Sequence, residues 1–343
     1  MSSLQEVPSR MRASVLESAH HLVVREVDTP VLASDQVLVR IAAVGVCGSD
    51  VHYFHEGRIG DFVVDAPLIL GHEASGTIVA VGTEVSADRI GERVSIEPQR
   101  ACRICTQCKR GRYNLCPSIE FYATPPIHGA FAEFAVIQAD YAFAIPDSVS
   151  LEAASLFEPL SVAIWAHKKA LTQPGSRVLI AGAGPVGILL AQVARAYGAT
   201  EVIVSDLAAA RRDRALEFGA TSVIDPTVVS ADEVPEVDAF VDASGAPSAI
   251  RAGILALAPA GIAVLVGMGA DDVSLPVSRI QGRELLVTGV FRYANTWPLA
   301  IELVASGAVD LESLVTSTFS LDRVEEAFEA TRDPNTLKAL ITP

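Results

Sequence analysis

Apolar and polar positions change their rhythm near residue 150. Before it, short apolar runs such as residues 36–44 and 74–81 are separated by Pro and Gly, and long helical periodicity is absent. That pattern predicts a β-rich domain. The stretch 151–170 is Ala-rich and helix-forming, interrupted by Pro159. Compact apolar strands are then expected at 177–181, 201–205, 222–224, 239–242, 263–266 and 286–290, with helices at 186–197, 208–218 and 247–256. Strands alternating with helices in this way predict an α/β fold with a doubly wound parallel sheet. After Phe291 the pattern returns to mixed helices and short strands, and 322–331 reads as an amphipathic surface helix. The expected division is a first domain over 1–156 completed by 293–343, and a dinucleotide-binding domain over 157–292.

Length and composition fit this picture. A chain of 343 residues, half of them apolar and 6% aromatic, is too long for one ordinary core and suits two domains. The balance of 26 basic against 41 acidic residues leaves a net charge of −15. Such a surface repels phosphate backbones and anionic lipid, so neither nucleic acid nor membrane is an expected partner. No apolar run reaches the roughly 18–20 residues of a membrane span. Met1–Arg12 is polar, without the hydrophobic segment of a secretory signal. A cytoplasmic protein is expected. Five cysteines, four of them within residues 102–116, then read as metal ligands rather than disulfides.

Gly182-Ala183-Gly184-Pro185-Val186-Gly187 is a G-x-G-x-x-G run between an expected strand and an expected helix. Gly182 permits the tight turn, Gly184 lets the backbone approach a pyrophosphate, and Gly187 allows close helix–strand packing. The helix N-terminus, beginning at Pro185 and Val186, supplies free N–H groups to phosphate. Asp206 ends the second strand of the unit, where a carboxylate accepts ribose hydroxyls and repels a 2′-phosphate. NAD is therefore expected over NADP, with Arg211 and Arg212 near enough to soften the preference.

Cys102, Cys105, Cys108 and Cys116 place four soft ligands in one loop. Four sulfurs satisfy a tetrahedral Zn²⁺ completely and leave no position for substrate, so this ion is expected to be structural. Cys47 stands apart at the end of a strand. His72 and Glu73 follow Gly71, and Glu73 lies in an otherwise apolar stretch, where a buried carboxylate must be paired or metal-bound.

The motifs G-V-C-G-S-D-V-H-Y, L-G-H-E-A-S-G, F-Y-A-T-P-P, E-P-L-S-V-A, A-G-A-G-P-V-G and G-V-F-R-Y-A-N-T-W-P resemble those of zinc-containing medium-chain dehydrogenases, and within them the polyol dehydrogenases. The resemblance runs from about Met11 to Ile341. It implies a GroES-like β domain carrying zinc, a Rossmann domain, a cleft between them and a homo-oligomer, often a tetramer. It also implies a second, catalytic zinc on Cys47, His72 and Glu73, with Glu158 close by or bridged through water; whether Glu73 or Glu158 is the firmer ligand stays open. The implied chemistry is hydride transfer from a polyol to NAD, giving a ketose, with Ser49 and His52 relaying the proton. Tyr53, Phe121, Thr124, Arg292 and Tyr293 are implied to line the substrate pocket. Arg292 offers several N–H donors, suited to a row of hydroxyls; a vicinal diol, an aldonate or an amino alcohol is the alternative substrate. A zinc-free NADPH quinone reductase, or a non-catalytic NAD-binding protein, would not need Cys47, His72 and Glu73. His20, His21, His55, His128 and His167 carry no ligand pattern and read as solvated or structural.

Overall fold

A computed structural model describes residues 7–230, 232–270 and 272–343. The first half of the Met1–Arg12 segment thus lies outside the described residues. The chain divides into two compact units: one runs to Glu158 and resumes over Leu311–Pro343, and the other is Pro159–Asp310.

The first unit is built on a seven-stranded sheet. Its central strand, Gln36–Gly45, pairs antiparallel with Glu73–Val81, Phe134–Gln138 and Lys338–Thr342. Val37, Val39, Ile41, Ile78, Ile96 and Ile137 are buried on this sheet and form much of its core. Register slips between Leu38 and Val39, and again between Ile41 and Ala43; such irregularities bend and twist a strand locally. The pairing ends with Gly45 opposite Glu73, which sets the metal-binding segments side by side.

The C-terminal segment adds the parallel strands Val315–Ser320 and Lys338–Thr342. Between them the helix Val324–Ala330 buries Val324, Ala327 and Phe328 and exposes Glu325, Glu326 and Glu329. The amphipathic reading of 322–331 thus describes this helix, preceded by a 3-10 turn at Leu321–Arg323.

The second unit is a six-stranded parallel sheet. Its order is Ser222–Ile224, Glu201–Ser205, Arg177–Ala181, Val237–Asp242, Leu257–Leu265 and Leu286–Gly289. The strand order reverses beside Arg177–Ala181, the switch point where doubly wound sheets bind ligands. Helices Pro185–Ala196, Ala209–Glu217 and Pro247–Ala256 fall within a residue of expectation. Pro159 does not break the helix it was expected to interrupt. The break lies at Leu156, between Leu151–Ser155 and Phe157–Ala170, and Pro159 sits in the first turn, where its missing N–H costs no bond.

Two further differences have physical causes. Helix Val277–Arg283 is short and polar, with no buried residue, so it leaves no apolar periodicity to read. Helix Trp297–Ala305 lies in the second unit, although the expected boundary fell at 292/293. Asp310 holds the end of this segment, exchanging hydrogen bonds with Gln192 at 2.7 and 3.0 Å. Among the described residues no helix is long and apolar enough to cross a membrane.

Candidate active site

Among the described residues, two groups of side chains able to hold a metal ion form in the first unit, and all five cysteines are free thiols. In the loop, the ligand atoms of Cys102, Cys105, Cys108 and Cys116 lie within 4.8 Å of one another. Their two-residue spacings work through the backbone. The Cys105 N–H donates to Cys102 Sγ at 3.4 Å, the Cys108 N–H to Cys105 Sγ at 3.4 Å, and the Cys102 N–H to Cys116 Sγ at 3.5 Å. These bonds stabilise thiolates before any ion arrives. Backbone N–H groups of Ile104 and Cys105 pull the Cys102 thiol down to about 6. Four sulfurs at this separation fit a tetrahedral zinc.

The loop is latched to the sheet by a carboxylate that the sequence did not single out. Tyr113 donates its hydroxyl to Glu97 Oε1 at 2.7 Å, and Gln99 Nε2 donates to the same oxygen at 2.7 Å. Glu97 is 1% exposed. Burial pushes its carboxyl from 4.5 up to about 7, against the two hydrogen bonds. A folded-state value above the unfolded one means stability is fullest below about 4.5 and falls until about 7. The loss amounts to about 3 kcal/mol at 1.36 kcal/mol per unit. Glu97→Gln keeps the accepting oxygen and is expected to flatten this slope in urea unfolding between pH 5 and 8. An unchanged slope would assign the pH dependence elsewhere.

The second group is Cys47, His72 and Glu73, again with ligand atoms within 4.8 Å of one another. Cys47 caps helix Gly48–Glu56 just beyond the central strand. Asp50, fully buried in that helix, ties the parts together: its Oδ2 accepts the Cys47 N–H at 3.0 Å and its Oδ1 the Gly71 N–H at 2.9 Å. Oδ1 also faces His72 Nδ1 at 3.5 Å, the support a metal-ligating imidazole usually has. Burial disfavours the His72 imidazolium, but Asp50 and Cys47 outweigh it and hold the metal-free ring well above the usual range. Metal binding here must therefore expel a proton.

Glu73 has company that sequence reasoning missed. Lys338 Nζ donates to Glu73 Oε1 at 2.6 Å and to the Val46 carbonyl at 2.8 Å, and lies 2.5 Å from Glu73 Oε2. Both side chains are buried, Lys338 being 4% exposed. Oε2 shares the Lys338 ammonium as its ion-pair partner without a hydrogen bond of good geometry, so it keeps accepting capacity that an ion could use. Gly45 makes the room, because a Cβ there would stand 1.9 Å from that oxygen. One thiolate, one imidazole and one carboxylate fit a zinc site with an open position. Glu158 is buried in the first turn of its helix and its charge acts on Lys338 and Glu97, but it is not one of the three converging ligands.

The remaining expected residues fall into two places. In the first unit, Ser49 is half-buried and His52 exposed on the helix that Cys47 caps, one turn apart, and Tyr53 is buried beside them. The Phe121 ring packs against His72 with centroids 5.5 Å apart. Thr124 sits in a turn closed by its N–H on the Phe121 carbonyl, before the cis Pro125–Pro126 bond. In the second unit, the Arg292 guanidinium lies over the Phe291 ring at 4.9 Å, and Tyr293 is fully buried against Trp297. His167 is structural, buried and bonded to Thr172 and the Leu190 carbonyl.

The second unit also holds a cavity of about 770 Å³ at its switch point, lined by Gly182, Gly184, Ser205, Asp206 and Arg211 among others. Gly182 has φ +97°, and a Cβ on Gly187 would stand 1.9 Å from the Gly182 carbonyl oxygen. Open space faces Gly184, so a phosphate can approach the backbone there and the helix beginning at Pro185. The Ala183 and Ala208 N–H groups each donate to one Asp206 carboxylate oxygen at 2.8 Å, fixing its orientation. This cradle, with its acidic edge, fits a dinucleotide.

The chain is similar to several known dehydrogenases and reductases. Sorbitol dehydrogenase of Bacillus subtilis (strain 168) is 41% identical, over 94% of this chain and 94% of its own. The probable D-xylulose reductase A of Aspergillus clavatus is 39% identical, over 95% of each. An alcohol dehydrogenase from Escherichia coli CFT073, solved with NADH, superposes with a TM-score of 0.92 at 29% identity, covering 98% of this chain and all of that one. Residues 33–147 match the alcohol dehydrogenase GroES-like domain, and 185–306 match the zinc-binding dehydrogenase domain. The carboxylate-bearing metal site and the acidic dinucleotide cradle thus sit on the two halves of a known architecture, and the chain belongs to the zinc-binding alcohol dehydrogenase family.

Proposed function

We propose that this protein is an NAD-dependent polyol dehydrogenase, converting a secondary hydroxyl of sorbitol, xylitol or a similar polyol to a ketone with formation of NADH. The convergence of Cys47, His72 and Glu73 carries the reading. With one thiolate rather than two, the donor set makes a bound metal harder and better suited to oxygen ligands. Two zinc ions per chain are expected, the second held by Cys102, Cys105, Cys108 and Cys116. When bound at Cys47, His72 and Glu73, zinc supplies a Lewis acid that lowers the pKa of a substrate hydroxyl.

The chain's own residues do the rest. Asp50 keeps His72 oriented, and Phe121 shields that ring from water. The Ser49 hydroxyl takes the substrate's proton and His52, exposed to solvent, passes it on. Glu158 holds a neighbouring water or a second substrate hydroxyl. Thr124 and Arg292 select for a row of hydroxyls, Arg292 by its N–H donors, with the buried Tyr53 and Tyr293 in support. The Asp206 carboxylate takes the adenosine ribose hydroxyls, and Arg211 borders them in the same cavity. Resemblance also supports a cytoplasmic homo-tetramer, with the first domain catalytic and the second binding NAD; light scattering on the purified chain checks the assembly.

The deciding assay follows NADH absorbance with xylitol, sorbitol, arabinitol, butanediol and threonine. Turnover with at least one polyol is expected, and loss of it in Cys47→Ser. Turnover confined to a carboxylate substrate would replace the polyol with an aldonate or amino acid read by Arg292.

A further inference from the structure

Asp206 is followed by two arginines, Arg211 and Arg212, and a guanidinium in this region is what accommodates the 2′-phosphate of NADP in related folds. The structure separates their fates. Arg211 lines the cavity. Arg212 is drawn into the turn beneath it, with its side chain 15% exposed. Its Nη1 donates to the Asp206 carbonyl at 2.7 Å and the Leu207 carbonyl at 2.9 Å, and its Nη2 pairs with Asp225 at 2.9 Å.

Asp225 is itself anchored. Its Oδ1 accepts the Thr227 N–H at 2.9 Å and the Thr227 hydroxyl at 2.6 Å. It follows strand Ser222–Ile224, which pairs with the strand that ends just before Asp206, and the Asp206 N–H reaches the Ile224 carbonyl at 3.3 Å. Ile224, Pro226 and Thr227 all line the cavity. Asp225 thus sits between wall residues without lining the cavity itself, on a different loop from Asp206, and its carboxylate is turned to Arg212.

We infer that Asp225 is a cofactor-specificity determinant that acts by holding Arg212 in the turn, away from where a 2′-phosphate would lie. The inference rests on the reading of this cavity as the NAD site. Arg212 spends its donors on two backbone carbonyls and a carboxylate, so it is withheld from an incoming phosphate. Asp206 is left to take the two ribose hydroxyls of NAD. Asp225 is a positioning residue here, since it acts through Arg212.

The test is isothermal titration calorimetry of NAD⁺ and NADP⁺ against the zinc-loaded protein and its Asp225→Asn variant. The variant is expected to bind NADP⁺ about tenfold more tightly, with NAD⁺ affinity changed by less than about threefold. The double variant Asp225→Asn/Arg212→Met should lose most of that gain, because the freed guanidinium is gone. A parallel fall of both affinities, or an unmoved ratio, would overturn the assignment by reducing Asp225 to a structural role. Failure of the unmodified protein to bind either dinucleotide overturns the cofactor reading itself, a separate result. Should thermal melts show that Asp225→Asn is misfolded, Asp225→Ser removes the same charge with a smaller side chain, and the same ratio decides.

Discussion

The Cys105→Ser variant is expected to lose one of two zinc ions per chain and to melt about ten degrees lower, the roughly 2–4 °C that 1 kcal/mol shifts a domain of this size taken several times over. Cys105 stands at the centre of its loop's sulfur network. Its Sγ accepts the Cys108 N–H at 3.4 Å and lies 3.4 Å from Cys108 Sγ. The loop has little core to fall back on: Cys102, Cys105 and Cys108 are all partly exposed, and the short helix Thr106–Lys109 buries no residue. Structural zinc is worth on the order of 10–16 kcal/mol of apparent binding in small zinc modules, as much as the whole stability of a typical domain. Even partial loss should therefore free Tyr113 from Glu97 and loosen the loop. Elemental analysis with calorimetric melting checks it, and retention of two zincs with an unchanged melt would show that the four sulfurs hold no structural ion.

Lys338→Met should destabilise the zinc-free protein by about 3–5 kcal/mol, the usual cost of stranding one member of a buried ion pair. Glu73 is 1% exposed, and Lys338 is the cation hydrogen-bonded to it. Burial alone would push the Lys338 ammonium down, but Glu73 first, then Cys47 and Glu158, hold it above its ordinary value, so the ammonium keeps its charge in the folded state. Loading zinc supplies a new counter-charge to Glu73 if that carboxylate is a ligand. The penalty should then shrink markedly in the metal-bound protein, measured by urea unfolding with and without zinc. An equal penalty in both states would remove Glu73 from the ligand set and turn attention to Glu158. The double variant Lys338→Met/Glu73→Gln, with no charge left to strand, should be more stable than Lys338→Met alone.

Much of the site was legible because its signals are local. The two-residue spacing of Cys102, Cys105 and Cys108 is the spacing at which each N–H reaches the preceding sulfur. The glycines at 182, 184 and 187 mark a turn whose closeness is set within six residues. Asp50, three residues from Cys47, could be guessed as support for the metal site on the same grounds. Lys338 could not. It lies 265 positions from Glu73, and nothing local says which carboxylate a lysine in that strand would meet. Glu97 looked unremarkable for a similar reason: its burial depends on Tyr113, a loop residue folded back across it. A charge pattern that would have flagged both is a lone ionisable residue in an apolar run, the signal that did flag Glu73.

The amino-acid sequence by itself determined the α/β class, the dinucleotide turn, the four-sulfur loop and the likeness to polyol dehydrogenases, because each is written in residue types at short fixed spacing. Tertiary structure alone decided which groups meet across strands. Pairing of Gly45 with Glu73 and of Leu340 with Gly45 brings the Glu73 carboxylate to Lys338. The return of strand Ser222–Ile224 beside Glu201–Ser205 gives Arg212 to Asp225 and leaves Arg211 in the cavity. Adjacent arginines in one helix are indistinguishable as letters; 100° of rotation and a neighbouring strand make one a wall and the other an anchor.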